Sequence, residues 1–275
     1  MIQLSGINIY PIKSLGGIQL QKAQIGKKGL FLDRRWMLVD PNGKFITQRN
    51  HPKMTLIGLK WLAEQNQLQI YDRKNRKESI LLNISPPSNP TKISVQIWED
   101  QCEALPVGAV YDQWFSELLA FPCRLVYMPD ATKRRVSPKY AVPTDEVSFA
   151  DGFPYLISNE ASLANLNERL DLPITMDRFR PNLIFTGQQA WEEDHWKGFS
   201  IGAVAFRSLK PCARCTLLTV DPETGEKGVE PLRTLSTFRK VNQKIFFGMN
   251  ACWDHSKNGD QIMEIKIGDS IEVQL

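Results

Sequence analysis

The residues best suited to chemistry are the cysteines of Pro211-Cys212-Ala213-Arg214-Cys215. Two thiols two residues apart, with an arginine between them, put soft donors beside a fixed positive charge. That pairing suits a soft metal or an anionic cofactor. The motif follows an apolar, strand-like run, Val204-Ala205-Phe206-Arg207-Ser208-Leu209, and is followed by the turn signal Asp221-Pro222-Glu223-Thr224-Gly225. Three chemistries are open. Cys212 and Cys215 can join Cys252 and His255 as a Cys₃His set, complete for a structural zinc, although the gap between the halves is long. They can act as a redox dithiol, which calls for a helix N-terminus at the motif. Thr216-Leu217-Leu218-Thr219-Val220 reads instead as β-rich, which weakens that reading. Or they can serve an anionic metal cofactor held by residues from elsewhere in the chain.

The third chemistry needs cations and hydrogen-bond donors, and candidates exist. Lys13-Ser14 stands at a strand end before Gly16-Gly17, whose small size allows close backbone approach. Arg34 lies in a strand between Asp33 and Trp36, and Arg180-Pro181-Asn182 offers a planar cation and an amide at the mouth of another. Guanidinium forks match phosphate geometry, lysine acts as a point charge and a serine hydroxyl donates. Any one of these arginines alone reads more readily as a surface or ion-pair residue. Hydrolase and nucleotide-loop signatures are missing: there is no Gly-x-Ser-x-Gly, no Walker-type loop and no His-Glu-x-x-His. With three scattered histidines, a His-rich metal site or His-centred triad is a poor fit.

The elements that must position these residues are mostly strands. Alternating runs at Ile7/Ile9 and at Ile18, Leu20, Ala23 and Ile25 precede Leu30 to Val39. Asp40-Pro41-Asn42-Gly43 then predicts a hairpin turn before Lys44 to Gln48. Short runs at 56–59, 68–71, 80–82 and 93–98 continue a barrel or sandwich spacing. Pro86-Pro87-Ser88-Asn89-Pro90 reads as a loop between strands. Val110, Trp114, Phe115, Leu118 and Leu119 fall at helical spacing, ended by Phe121-Pro122. Residues 129–144, rich in Pro, Lys and Arg, read as a boundary or an active-site loop. Ser158 or Asn159 caps a helix through Leu163, Leu166 and Leu170, and Pro231 opens a short helix to Phe238. Met263 to Val273 reads as a hairpin turned at Gly268-Asp269.

The totals bound the answer. A chain of 275 residues, 42% hydrophobic and 23% charged, is an ordinary globular protein of one large domain or two modest ones. A net charge of +4 is too mild for a nucleic-acid binder, and the densest basic patch, Lys133-Arg134-Arg135, reads as a solvated loop. No signal peptide or membrane-length apolar run is visible, and the cysteine number is odd, so a reducing, cytoplasmic setting is expected.

Pro211-Cys212-Ala213-Arg214-Cys215-Thr216-Leu217-Leu218-Thr219-Val220-Asp221-Pro222-Glu223-Thr224-Gly225 resembles the signature of MOSC-domain proteins. The resemblance is closest to the branch holding the mitochondrial amidoxime reducing component and bacterial YcbX-like proteins. Tyr10-Pro11-Ile12-Lys13-Ser14 and Asp33-Arg34-Arg35-Trp36 resemble its N-terminal barrel. Phe149-Ala150-Asp151-Gly152, Asn159-Glu160-Ala161-Ser162-Leu163 and Phe179-Arg180-Pro181-Asn182 match further stretches. Pro231-Leu232, Phe247-Gly248-x-Asn250 and Ile267-Gly268-Asp269 complete the series across the whole chain.

The resemblance implies an α+β, predominantly β fold with a few peripheral helices: an N-terminal MOSC β-barrel domain over residues 1–125 and a MOSC β-barrel domain over 126–275. It implies a molybdenum cofactor (Mo-molybdopterin) with the metal on Cys215. Lys13, Ser14, Arg34, Arg180 and Asn182 would hold the pterin and its phosphate, Asp151 would lie near it, and Arg214 either supports the cofactor or shapes the loop. The implied activity is reduction of N-hydroxylated compounds: amidoximes, hydroxylamines and N-hydroxylated nucleobases. The alternative is a non-catalytic cofactor or sulfur carrier, and the wider superfamily also carries an association with pyridoxal phosphate. The sequence has neither the cysteine cluster of a fused ferredoxin-like domain nor a mitochondrial-type anchor. A separate flavin, iron–sulfur or haem donor protein is therefore expected, with no nucleic-acid or membrane partner.

Overall fold

A computed structural model describes residues 1–87, 91–259 and 261–275. Ser88, Asn89 and Pro90 of the expected proline-rich loop lie outside the described residues. The fold is predominantly β, with helices at the periphery. Its main sheet runs in the order Ile271–Gln274, Gly198–Ile201, Val204–Arg214, Lys244–Trp253, Tyr155–Asn159, Leu183–Thr186, Gln3–Ile9, Ile18–Leu20. All of these neighbours are antiparallel except Tyr155–Asn159 with Leu183–Thr186. Ile57–Leu62, Gln67–Asp72 and Ser79–Asn83 form one small sheet. Trp36–Val39, Arg124–Tyr127, Asp100–Pro106 and Ile93–Ile97 form another. Most strands fall where the alternating runs put them, because a half-buried strand needs apolar residues two apart. Two expected strand segments do not form: Arg34 lies in a turn between Gly29–Leu30 and Trp36–Val39, and in the run Lys44 to Gln48 only Lys44 and Phe45 make isolated bridges.

Partner choice departs from the local pattern at the C-terminus. Met263–Lys266 and Ile271–Gln274 flank a turn at Gly268, as expected, but do not pair with each other. Met263–Lys266 joins Lys22–Gly26, and Ile271–Gln274 joins Gly198–Ile201. The alternation marks two half-buried strands, and Ile265 and Ile271 both enter the core, but the local pattern does not choose the partner strand.

Two sheets thus take strands from both sides of the division at residues 125 and 126. One apolar core also spans it, joining Leu4, Ile9 and Trp36 to Tyr155, Phe185 and Phe206. That division remains a proposal about how the chain is built. The helix predicted from Val110 to Leu119 is Ala109–Leu119 and buries Phe115. Asn159 caps Glu160–Asn167 by accepting from the Ala161 amide at 2.9 Å, and this helix stops short of Leu170.

Candidate functional site

The Cys-x-x-Cys motif spans the end of Val204–Arg214 and the turn after it. The expected β run after Cys215 is a 3₁₀ turn, Thr216–Thr219. Packing decides this. Leu218 is buried with Phe179 and Phe247, whose rings stack at 3.6 Å. Burying a leucine or phenylalanine side chain stabilises by about 1.5–3 kcal/mol, more than a local strand preference is worth. Arg178 fixes the turn further, donating to the Leu218 carbonyl at 3.2 Å and to Asp221 at 2.7 Å. Asp221 also accepts from the Glu223 and Thr224 amides, which shapes the Asp-Pro-x-Thr-Gly turn.

A cavity of about 250 Å³ opens beside this turn. All eight residues singled out from the sequence line it: Lys13, Ser14, Arg34, Asp151, Arg180, Asn182, Arg214 and Cys215. Strand pairing brings them together. Gln3–Ile9 leads to Lys13 and pairs with Leu183–Thr186, which begins just after Asn182. Asn8 and Asn182 are tied by backbone and side-chain hydrogen bonds.

The N-terminal wall is tightly held. The Lys13 amide donates to the Trp36 carbonyl at 2.8 Å. Small residues suit this turn: a Cβ on Gly17 would sit 2.7 Å from the buried Tyr10 ring, and one on Gly16 would sit 3.0 Å from the Ile57 carbonyl. The buried Lys13 ammonium donates to the Phe149 carbonyl at 2.8 Å and pairs with Asp151. Burial lowers the Lys13 ammonium to about 8, against the opposing pull of Asp151. Burial pushes the Asp151 carboxyl up, but Lys13, Arg49 and the Trp98 indole hold it well below the usual carboxylate range.

Arg34 donates to the buried Asp33 at 2.7 and 3.0 Å, to Asn182 at 3.1 Å and to the Arg180 carbonyl at 3.3 Å. Its guanidinium lies over the Tyr10 ring at 4.3 Å, and that of Arg180 does so at 4.1 Å. Among the described residues, the Arg180 side chain has no hydrogen bond or ion pair, and neither has the Ser14 hydroxyl. Burial lowers the Arg180 guanidinium to about 10, with Tyr10 and Asp33 opposing and Arg34 reinforcing the shift. Ser14, Arg34 and Arg180 all have left-handed backbones, at φ 66°, 48° and 55°. Such conformations are costly for residues with a Cβ and gather where a site must be shaped.

The cysteine wall is more open. Cys215 is an exposed free thiol and Cys212 is partly buried. Arg214 turns to Cys212, donating to its sulfur at 3.1 Å and to the Phe179 carbonyl at 2.7 Å. The Arg214 Nε is buried with no partner. Cys252 is buried in a separate cluster with Val136, Val147 and Ala150, and His255 binds the Gly259 carbonyl. The four-ligand zinc reading therefore fails, and among the described residues no three His, Cys, Asp or Glu side chains gather around a metal position.

Sequence reasoning missed the lining cations Arg49 and Lys210, and it named Asn250 only within a matching stretch, with no role. Lys210 directly precedes the cysteine motif, so adjacency was its signal; Arg49 has none in its local pattern. The solvated-loop reading of Lys133-Arg134-Arg135 fails at Arg134, which is 4% exposed. Arg134 donates to the Ser148, Ala150 and Asp151 carbonyls and so braces the segment carrying Asp151. In all, six cationic side chains and one carboxylate line the cavity, which suits an anion.

Residues 1–122 match the family model of the MOSC N-terminal beta barrel domain, and residues 144–272 that of the MOSC domain. Mitochondrial amidoxime-reducing component 1 of Homo sapiens is 30% identical over 274 residues, covering 96% of this chain and 80% of that protein. Component 2 of Homo sapiens is also 30% identical, covering 96% of this chain and 81% of that protein. Molybdenum cofactor sulfurase of Solanum lycopersicum is 28% identical over 98% of this chain, which spans 35% of that protein. No helix among the described residues is long and apolar enough to cross a membrane.

Proposed function

Because the chain belongs to the MOSC-domain family that includes the mitochondrial amidoxime-reducing components, we propose that it binds a molybdenum cofactor on Cys215 and reduces N-hydroxylated compounds. The observation that carries this reading is the convergence of eight dispersed residues on one cation-rich cavity with a free thiol at its wall. The residues fit such a group. Arg180 and Ser14 have donors with no partner among the described residues, as a phosphate requires, and the Arg214 Nε is a buried donor awaiting an acceptor. Cys215 offers a soft sulfur ligand.

When bound, the molybdenum cofactor supplies the two-electron chemistry by which an N–OH bond, two electrons and two protons give N–H and water. The chain's own residues bind and orient. Arg180 and Ser14 would hold the phosphate, while Lys13 is already paired with Asp151 and fixes that carboxylate at the cavity wall. Arg34 and Asn182 spend their side chains on Asp33, the Arg180 carbonyl and the Asn8 carbonyl, so they set the position of Arg180 more than they contact a ligand. Arg214 braces Cys212 and the Phe179 carbonyl, so it shapes the cysteine wall. Asp151, ionised and facing the cavity, is the acceptor placed to orient a substrate N–H or O–H. A separate protein delivers the electrons.

The test is reduction of benzamidoxime to benzamidine by cofactor-loaded protein with a reduced dye as donor. Turnover that disappears in Cys215→Ser supports the proposal; unchanged turnover in that variant sinks it. The likeness to molybdenum cofactor sulfurase over 98% of this chain favours a second reading, a cofactor or sulfur carrier. Transfer of bound cofactor to an apo-enzyme, without turnover of N-hydroxylated substrates, would select it.

A further inference from the structure

The six cavity cations divide into two groups. Lys13, Arg34 and Arg214 are already engaged, by Asp151, by Asp33 and by Cys212 with the Phe179 carbonyl. Arg180, Arg49 and Lys210 are held only by aromatic faces. Among the described residues, none of these three side chains has a carboxylate or hydrogen-bond partner. Arg180 belongs to the cradle just described. Arg49, stacked on Trp98 at 4.0 Å, lies in the field of Asp151. Lys210 is left over.

Lys210 is placed with care. It lies at an irregularity in the pairing of Val204–Arg214 with Lys244–Trp253, where the register shifts between Ser208 and Lys210. Such a bulge re-aims a side chain, and bulges recur beside active sites. The Asn250 amide anchors the Lys210 carbonyl at 3.3 Å. The ammonium rests over the Tyr140 and Phe153 rings, at 4.3 and 5.1 Å from their centroids. Ring faces hold a cation in place without neutralising it. The result is a pre-oriented positive charge on the cavity wall, two residues from Cys212.

We propose that Lys210 is a specificity-determining residue that pairs with a carboxylate or phosphate carried by the substrate. The preferred substrates are then N-hydroxylated molecules bearing an anionic group, bound with that group on Lys210 and the N–OH toward Cys215. This rests on the N-hydroxy reductase reading for its substrate class.

The experiment compares benzamidoxime with its 4-carboxylate, using the cofactor-loaded full chain, Lys210→Met and Lys210→Arg. Calorimetric binding and kcat/KM are both measured, with molybdenum content and thermal melting as controls. The wild type should bind the carboxylate about tenfold more tightly than the neutral compound, as one desolvated ion pair can provide. Lys210→Met should erase that preference and Lys210→Arg should keep most of it. A preference that survives in Lys210→Met, or is absent from the wild type, overturns the proposal. Loss of molybdenum in Lys210→Met also overturns it, because the residue would then serve the cofactor. If the preference is seen in binding while neither compound is turned over, Lys210 stands as the anion site and the reductase reading falls.

Discussion

The two walls of the cavity are built differently. On the N-terminal wall, Lys13 and Asp33 are buried, Arg34 is partly buried, and their charges are matched before any ligand arrives. On the opposite wall, Cys215 is exposed, and its turn is held by a few contacts from Arg178 and Leu218. Charges taken out of water must be paired inside the fold or the fold fails, whereas a sulfur that must take up a ligand has to stay reachable. The first wall should therefore report on stability and the second on ligand capture.

The largest effect should come from breaking the buried pair. Asp33→Ala leaves the Arg34 guanidinium and the Tyr10 amide without their shared acceptor, which should cost about 3–5 kcal/mol in denaturant unfolding. A loss below about 1 kcal/mol would mean that the wall is not held by its charges.

A smaller, pH-dependent effect should come from Lys13. Its pKa is lowered from 10.5 to about 8 in the fold, so between those values the unfolded chain binds more protons than the folded one. Stability contributed by Lys13 therefore rises with pH across that window, by on the order of 1–3 kcal/mol. Lys13→Met should remove this rise from the pH–stability profile; a profile with the same slope in both proteins contradicts the assignment.

The smallest effect on stability should come from the cysteine wall. Arg178→Ala frees the turn from Asp221 and the Leu218 carbonyl. Because Asp221 is partly exposed, the loss should be about 0.5–1 kcal/mol. The same change should weaken metal retention disproportionately, read as faster loss of molybdenum to a chelator. Equal losses in stability and retention would erase the distinction between the walls.

What was legible in the sequence follows the same line. The turn at Asp40-Pro41-Asn42-Gly43 forms as expected, because Asp40 accepts from the Asn42 and Lys44 amides and Gly43 takes a φ of 81°, all local effects. The Asn159 cap was legible for the same reason. Partner choice was not: nothing within Met263 to Val273 says that its two strands join different sheets. The 3₁₀ turn after Cys215 was hidden because Leu218 follows Phe179 and Phe247, which lie far away in the chain. Cys215 and Arg214 stood out by motif, and Lys13, Ser14, Arg34, Arg180 and Asn182 by residue type, but only the resemblance joined them into one site and added Asp151; their convergence could not be derived from composition. Arg49 and Lys210 escaped because a lone cation looks alike whether it meets water or an aromatic ring.

The proposal on which the others depend is that Cys215 carries the metal. Its most direct test is elemental analysis of wild type and Cys215→Ser, each produced with cofactor supply and checked for equal folding. Stoichiometric molybdenum is expected in the wild type, with its loss in Cys215→Ser. Full retention of molybdenum by Cys215→Ser would contradict it.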